Sequence, residues 1–384
     1  MAALLLALNA TMCGKVMPAP DYFSDKLACS DTVVIPGSSG MTLGQLARVF
    51  AALPLEDQHI EEVYRATQSS TSNGYDEEYT LKQLITAPGC GVGDPATKAT
   101  DGPHPLRDLL EEYFSKQAST KAGAVDPAQL MAALSDSDVQ LYWPFSEDWD
   151  GESYPIITFD PGYGSQYNYG YMVEKTAEGL HVLDSVYVDE NVARNHPVWV
   201  VNRNNDAAWT PADFFTKAPD AGPSPSGVSR MLLLKSITML RNYDSWFQGG
   251  SEFFIKCGSV NGFSASTEAE LKLYSPSVTD FMVVVPRKFL GKKVELNALI
   301  MTNFTNQLDN LAFLVTEDDG GTHTSWKCSA TVKIKSKSYG FDIDIPYNEK
   351  DDIVWRGQLS ANFFQAEDIV SGRFGDVILE FALE

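Results

Sequence analysis

MLLLKSITML (231–240), EFFIKC (252–257), ELKLY (270–274), DFMVVV (280–285), KVELNALIM (293–301), NLAFLVTE (310–317), TVKIKS (331–336), FDIDIP (341–346), IVWRGQL (353–359) and DVILEFAL (376–383) succeed one another between Arg230 and Glu384. Turn chemistry separates them: Gln248-Gly249-Gly250, Asn261-Gly262, Ser275-Pro276, Asp319-Gly320-Gly321 and Tyr339-Gly340. Short apolar or alternating runs punctuated in this way read as strands, and so many at regular spacing predict an antiparallel β-sandwich over 228–384. In DFMVVV almost every position is apolar, so this strand is expected to be central and covered on both faces. In TVKIKS, Val332 and Ile334 alternate with Lys333 and Lys335, which predicts a half-exposed strand.

Upstream, KAPDAGPSPSG (217–227) holds chain breakers and few apolar groups, and reads as a linker. Residues 139–216 form a small β-rich middle part, with strands expected at 139–143, 155–159, 170–174, 180–188 and 198–202 and a hairpin turn at Glu178-Gly179. Residues 40–138 read as helical. Thr42-Leu43-Gly44-Gln45 is a capping-box pattern, followed at helical spacing by Leu46, Ala47 and Phe50. Helices are also expected over 56–68, 79–85 and 105–118, and after Asp126-Pro127, a capping residue with proline at the first helical position. Residues 87–105 are rich in Gly, Pro and Thr and read as loop. The fold class expected is therefore α+β and multi-domain: a helical N-terminal part, a β-rich middle part and a C-terminal sandwich. A chain of 384 residues exceeds one ordinary core, in keeping with two or three domains.

The formal net charge is −22. Basic and acidic residues number 9 and 18 in 1–140, 4 and 13 in 141–228, and 16 and 20 in 229–384. No part is basic, which argues against nucleic acid as a partner and against an anionic membrane surface. No apolar run reaches the 18 or so residues that span a bilayer. MAALLLALNA (1–10) has the length of a signal-peptide apolar region without the basic start. Read as a signal remnant, it makes Cys13 the first mature residue and the lipid-bearing one, so that any membrane contact runs through an N-terminal lipid anchor and the protein is exported to the periplasm or cell surface. Ala10-Thr11-Met12 is a poor lipoprotein box because Met is large for the position before the cleaved bond; the other reading is a short buried segment. With Cys13 acylated, Cys29–Cys90 plus Cys257–Cys328 is one of three possible pairings, and free buried thiols are the alternative.

The segments LYWPFSEDWDGESYPIITFDPG (141–162), HPVWVVN (196–202), YDSWFQGGSEFFIKCGSVNGF (243–263) and the run 316–357 resemble a group of exported, lipoprotein-like proteins of Bacteroidetes. The resemblance spans most of 40–384. It implies export and a helix-then-β layout, and it brings no catalytic residues.

Motifs of catalysis are missing. His59-Ile60-Glu61-Glu62-Val63 lacks the second His of a zincin helix, no G-x-S-x-G elbow occurs, and Gly89-Cys90-Gly91-Val92-Gly93 lies between Pro88 and Pro95 rather than between a strand and a helix. Two features carry binding chemistry. Residues 142–171 hold ten aromatics in thirty positions against 11% for the chain. Trp149, Tyr163, Tyr167 and Tyr169 offer flat apolar faces to a glycan or protein partner; the bland alternative is that these rings pack the seam between the helical and β parts. The second feature is a pair of acidic turns. Asp318, Asp319, Asp351 and Asp352 are candidate calcium ligands, provided both turns lie at one end of the sandwich; solvated turn charges are the alternative. The function expected is an exported or cell-surface binding or structural protein with a sandwich recognition module. A carbohydrate-active hydrolase using Glu147, Asp148, Asp150 or Glu152 with the aromatics of 141–171 is the alternative.

Overall fold

The computed structural model describes residues 32–33, 40–86, 104–120, 126–176, 179–204 and 230–384. Cys13, Cys29, Cys90, the apolar decamer, the 217–227 linker, the 89–93 glycines and Glu178 lie outside the described residues. The chain is mixed α and β, with antiparallel sheets in its C-terminal part.

A two-residue pairing of β1 (Thr32–Val33) with β2 (Met41–Thr42) leads into α1 (Leu43–Ala52). The expected capping box is present: Gln45 N donates to Thr42 Oγ1 at 3.1 Å and Thr42 N donates to Gln45 Oε1 at 2.9 Å. Next come α2 (Asp57–Ser72), β3 (Glu78–Thr80), α3 (Leu81–Ile85), α4 (Pro105–Thr120) and α5 (Pro127–Ser135). Thr80 and Gln83 form a second capping box, so the segment expected to be helical from residue 79 is strand up to the cap. Asp126 caps α5 through a hydrogen bond from Ala128 N, as expected.

These helices pack on a six-stranded mixed sheet. Its remaining strands are β4 (Val139–Tyr142), β5 (Ile156–Phe159), β6 (Tyr167–Thr176), β7 (Gly179–Asp189) and β8 (Val198–Arg203), in the order β3-β4-β8-β5-β6-β7, with only β5 and β8 parallel. A short helix, α6 (Glu190–Ala193), precedes β8. Leu46, Phe50, Ile60, Val63, Leu110 and Leu134 share one core with Leu141, Trp143, Ile157 and Trp199, so helices and sheet form one packed layer pair rather than two cores. Within it, the buried Glu62 carboxylate accepts from Tyr79 Oη at 2.9 Å and from Leu106 N at 2.8 Å, with His104 Nδ1 at 3.4 Å. This one side chain ties α2, β3 and the first turn of α4.

The C-terminal part contains β9 (Arg230–Met239), β10 (Ser251–Ser259), β11 (Ser277–Val285), β12 (Lys293–Phe304), β13 (Leu308–Glu317), β14 (His323–Ile334), β15 (Lys337–Asn348), β16 (Asp352–Ser360), β17 (Ile369–Phe374) and β18 (Val377–Leu383). A four-residue helix, α7 (Ala361–Phe364), follows β16. One sheet has the order β12-β9-β18-β17. The other runs β11-β10-β13, and β13 then pairs along most of its length with β16 and at its start with the β14–β15 hairpin. Both sheets feed a single core: Leu232, Leu234 and Ile237 of β9 meet Phe253, Ile255, Phe313, Val315, Leu379 and Phe381. Along β9 the core-facing parity changes between Leu234 and Ile237, because Lys235 is an extra residue that bulges opposite the Glu380–Phe381 step of β18.

Two expectations need correction, and the choice left open for Cys257 and Cys328 falls to free thiols. DFMVVV is not central: β11 pairs only with β10 among the described residues. Its apolar character has another cause. Val283 and Val285 enter the main core, while Met282 and Val284 pack with Phe254 on the other face. Apolar composition reports covered faces, not hydrogen-bonded neighbours. ELKLY is not a strand but part of a 3-10 segment, Glu268–Leu273, in which Leu273 is 79% exposed. Cys257 and Cys328 are free: Cys257 is buried in the core and Cys328 contacts the Ile343 carbonyl. TVKIKS is half-exposed as expected, with Val332 and Ile334 buried and Lys333 and Lys335 exposed. The β14–β15 hairpin closes on β10 at Gly258, where an added Cβ would lie 3.1 Å from Ile343 and 3.2 Å from Ile345.

The loop between β9 and β10 joins the two halves. Trp246 and Phe247 are buried among Tyr142, Phe145, Val198 and Val200 of the first sheet. Trp246 Nε1 donates to the Gln166 carbonyl at 3.0 Å, Asn202 Nδ2 donates to the Phe247 carbonyl at 2.9 Å, and Gly250 N donates to Asp76 Oδ2 at 2.6 Å. Beside it, Lys288 Nζ bridges Glu77 at 3.0 Å and Glu147 at 2.9 Å. Burial works against the charge on Lys288, but the two carboxylates outweigh it and raise its pKa. Glu77 is the more buried partner, and burial pushes its carboxyl well up.

Candidate functional site

Carboxylates gather where β13 ends and β10 and β16 begin. The register sets Glu317 opposite Phe253 on β10 and opposite Asp352 on β16, and Asp318 N donates to the Glu252 carbonyl. The β9–β10 loop brings Asp244 over this end. One carboxylate oxygen each of Asp244, Glu252 and Glu317 lies within 4.8 Å of the others. Glu317 is completely buried, on the parity of the core residues Phe313 and Val315. Neither of its oxygens receives a hydrogen bond from an N–H or hydroxyl group, and the same holds for Asp244 Oδ2. Burial is the first cause that pushes the Glu317 carboxyl up to about 12, with Asp244, Glu252 and Asp319 adding repulsion. Burial raises Asp244 as well, although Arg287 opposes the shift.

The two acidic turns come to this same end, because His323 pairs with Asn348 and so sets residues 318–322 beside 349–351. Asp318 Oδ1 accepts from Gly320 N at 3.0 Å and from Asn348 Nδ2 at 3.2 Å. Asp351 Oδ2 accepts from Asn348 N at 2.9 Å. One oxygen of Asp318 and one of Asp351 thus shape the turns, while Asp351 Oδ1 is buried without a hydrogen-bond partner. Asp319 and Asp352 are exposed. Burial and the neighbouring carboxylates push both Asp319 and Asp351 up to about 6.

A pH dependence follows. A carboxyl whose folded pKa exceeds its unfolded value near 3.8 contributes most below that value and loses the contribution as pH rises through the folded value. In chelator, therefore, the melting temperature is expected to fall between about pH 4 and pH 6 and to fall less in Asp319→Asn with Asp351→Asn. A melting temperature that rises across this window in the wild type contradicts it.

The aromatic candidates divide into two groups. Trp149 lies in the seam, with ring centroids 5.2 Å from Tyr64 and 5.4 Å from Trp143, and its Nε1 donates to the Ser153 carbonyl. Tyr163, Tyr167 and Tyr169 are 85%, 55% and 39% exposed. Tyr187, on the neighbouring strand, groups with two of them: it stacks on Tyr167 with centroids 5.6 Å apart and planes 20° from parallel, and meets Tyr169 edge-on at 6.4 Å. The register explains the grouping, since Tyr169 pairs directly with Tyr187 across β6 and β7. Tyr171, on the same parity, reaches the helical layer instead and accepts from Arg48 Nε at 2.8 Å.

The acidic residues near Trp149 are held otherwise. Asp150 accepts from Glu152 N, Ser153 N and Ser153 Oγ, and these bonds outweigh burial and hold it below the ordinary carboxylate range. Glu147 is paired with Lys288. No protein-family model matches the chain, and no curated protein matches it.

Sequence analysis does not single out Asp244, Glu252 or Tyr187, and it leaves Glu317, the last residue of the strand expected at 310–317, out of the candidate ligands. One signal for Glu317 was present: NLAFLVTE places a carboxylate on the parity of two core residues. Asp244 and Glu252 had none, because a loop residue and a strand end meet only through the tertiary fold.

Proposed function

We propose that the chain is an exported binding protein that holds a glycan on the tyrosine surface of β6 and β7, with its C-terminal sheets forming a β-sandwich recognition module. The observation that carries this reading is the ordered group of exposed rings, Tyr167, Tyr169 and Tyr187, two of them stacked. Apolar side chains this exposed on adjacent strands mark contact surfaces, and tyrosine rings offer area at low entropic cost while their hydroxyls hydrogen-bond. Pyranose rings have one apolar face and a hydroxyl rim, which suits that combination. Export is supported by the apolar decamer before Cys13 and by the resemblance to lipoprotein-like proteins of Bacteroidetes. No helix among the described residues is long and apolar enough to cross a membrane. The hydrolase reading is weakened by the structural commitments of Asp150 and Glu147.

A glycan array followed by calorimetry on the purified chain tests the proposal. Tyr167→Ala with Tyr187→Ala is expected to weaken binding at least about tenfold, as for the loss of one or two stacking contacts, with little change in stability because both rings are exposed. Labelling of intact cells with a membrane-impermeant reagent tests export. Absence of any glycan ligand, or affinity undiminished in the double variant, sinks the glycan reading.

A further inference from the structure

We propose that Asp244, Glu252 and Glu317 bind one divalent cation, with calcium as the ion their donor set favours, and that this ion fastens the β9–β10 loop to the end of β13. The proposal is independent of the tyrosine surface. Acidic clusters on protein surfaces are common and by themselves mean little. This one differs because Glu317 is fully buried and both its oxygens lack a donor. A buried carboxylate without hydrogen bonds is costly and needs a proton or a cation.

The geometry separates these two solutions. A single proton shared between Glu317 and Asp244 bridges two oxygens. Three are without donors, two on Glu317 and Oδ2 of Asp244, so one is left over, and the Glu252 carboxylate adds its repulsion. A divalent cation reaches all three side chains at once. Donor atoms each ~2.4 Å from a calcium ion are at most ~4.8 Å apart, and the three carboxylates meet that limit. All donors are oxygens, without His or Cys, which selects hard cations over zinc or copper.

The surroundings favour a cation as well. Asp318 and Asp319 follow Glu317 in the chain, Asp352 pairs with it across the strands, and Asp160 acts on Asp244 from the first sheet. The positive group acting on Asp244 is Arg287, whose guanidinium already donates to the Asp244 carbonyl at 2.9 Å and to Glu190 at 3.2 Å. Three carboxylates supply three to six of the six to eight oxygens that calcium takes, and water supplies the rest. The turn carboxylates Asp318, Asp319, Asp351 and Asp352 then act as an outer negative ring rather than as the ligands themselves.

The consequence is mechanical. Asp244 stands two residues before Trp246, which is buried in the other half of the molecule. An ion binding Asp244, Glu252 and Glu317 together fixes the loop that carries Trp246 and Phe247.

Titration calorimetry with calcium chloride and with magnesium chloride, and thermal melting in calcium or chelator, test this on the full chain. The expected result is one calcium per chain, weaker magnesium binding, and a melting temperature higher by roughly 5 °C at saturating calcium. Glu317→Gln removes the repulsion while keeping the shape, so it is expected to fold, to melt in chelator no lower than the wild type, and to show no response to calcium. Asp351→Asn, in the turns, is expected to keep the response. Absence of calcium binding at 10 mM overturns the proposal. So does a response that survives in Glu317→Gln, and one lost in Asp351→Asn but kept in Glu317→Gln relocates the ion to the turns.

Discussion

Trp246→Ala is expected to lower the unfolding free energy by about 3–5 kcal/mol, the range for removing a large aromatic side chain from a core. Trp246 is 1% exposed and packs against Phe247, with ring centroids 4.0 Å apart, and against side chains of the first sheet. Truncation opens a cavity between the halves and strips the Gln166 carbonyl of its donor. Trp246→Phe keeps most of the packing and loses the hydrogen bond, so a smaller loss, about 1 kcal/mol beyond the volume change, is expected. Because the ring joins two cores, the alanine variant is also expected to broaden or split the denaturation curve, as cooperativity between the halves weakens. Urea unfolding followed by circular dichroism checks both. A loss under 1 kcal/mol with a single sharp transition would show that the loop contributes little to holding the halves together.

Glu62→Ala is expected to cost about 2–5 kcal/mol, from leaving two or more buried polar groups without partners at about 1–3 kcal/mol each. Tyr79 Oη and Leu106 N both donate to this carboxylate. Leu106 lies in the first turn of α4, where N–H groups have no partner within the helix and a negative charge is favoured. Glu62→Gln keeps an acceptor oxygen but loses the charge, so an intermediate cost is expected. Hydrogen exchange supplies the specific readout: Leu106 should lose amide protection in the alanine variant while the strands of the C-terminal part keep theirs. Uniform loss of protection would instead point to global destabilisation without the anchoring role.

Much of the element pattern was legible in the sequence, because local rules govern it. The Thr42–Gln45 box, the Asp126-Pro127 start and the alternation in TVKIKS all depend on neighbours within a few residues, and each appears in the structure. What failed was non-local. DFMVVV was read as central, but its two covered faces meet different partners and its outer edge is unpaired by any described strand. ELKLY has strand-like alternation, yet Leu273 finds nothing to pack against and the segment coils. IVSGRF (369–374) carries a glycine and too few apolar residues to be recognised as a strand, and it forms β17 only because β18 offers an edge. The sites divide in the same way. The tyrosines were visible as composition, but the separation of Trp149 from Tyr167 depends on which rings the helices cover. The acidic turns were visible, whereas the grouping of Asp244 with Glu252 and Glu317 is produced by a loop that the sequence marks only as a break between strands.

The placement of Trp246 and Phe247 has a consequence for biosynthesis. The first sheet, with its helices, is made before the residues that complete one of its faces. Until the ribosome has released residue 247, Tyr142, Phe145, Val198 and Val200 lack the two rings that cover them in the finished molecule. The nascent N-terminal half is therefore a sticky intermediate whose maturation waits for the C-terminal half, the opposite of domains that finish one at a time. A chain stopped at residue 216 should for this reason bind chaperones and precipitate rather than accumulate as a folded fragment.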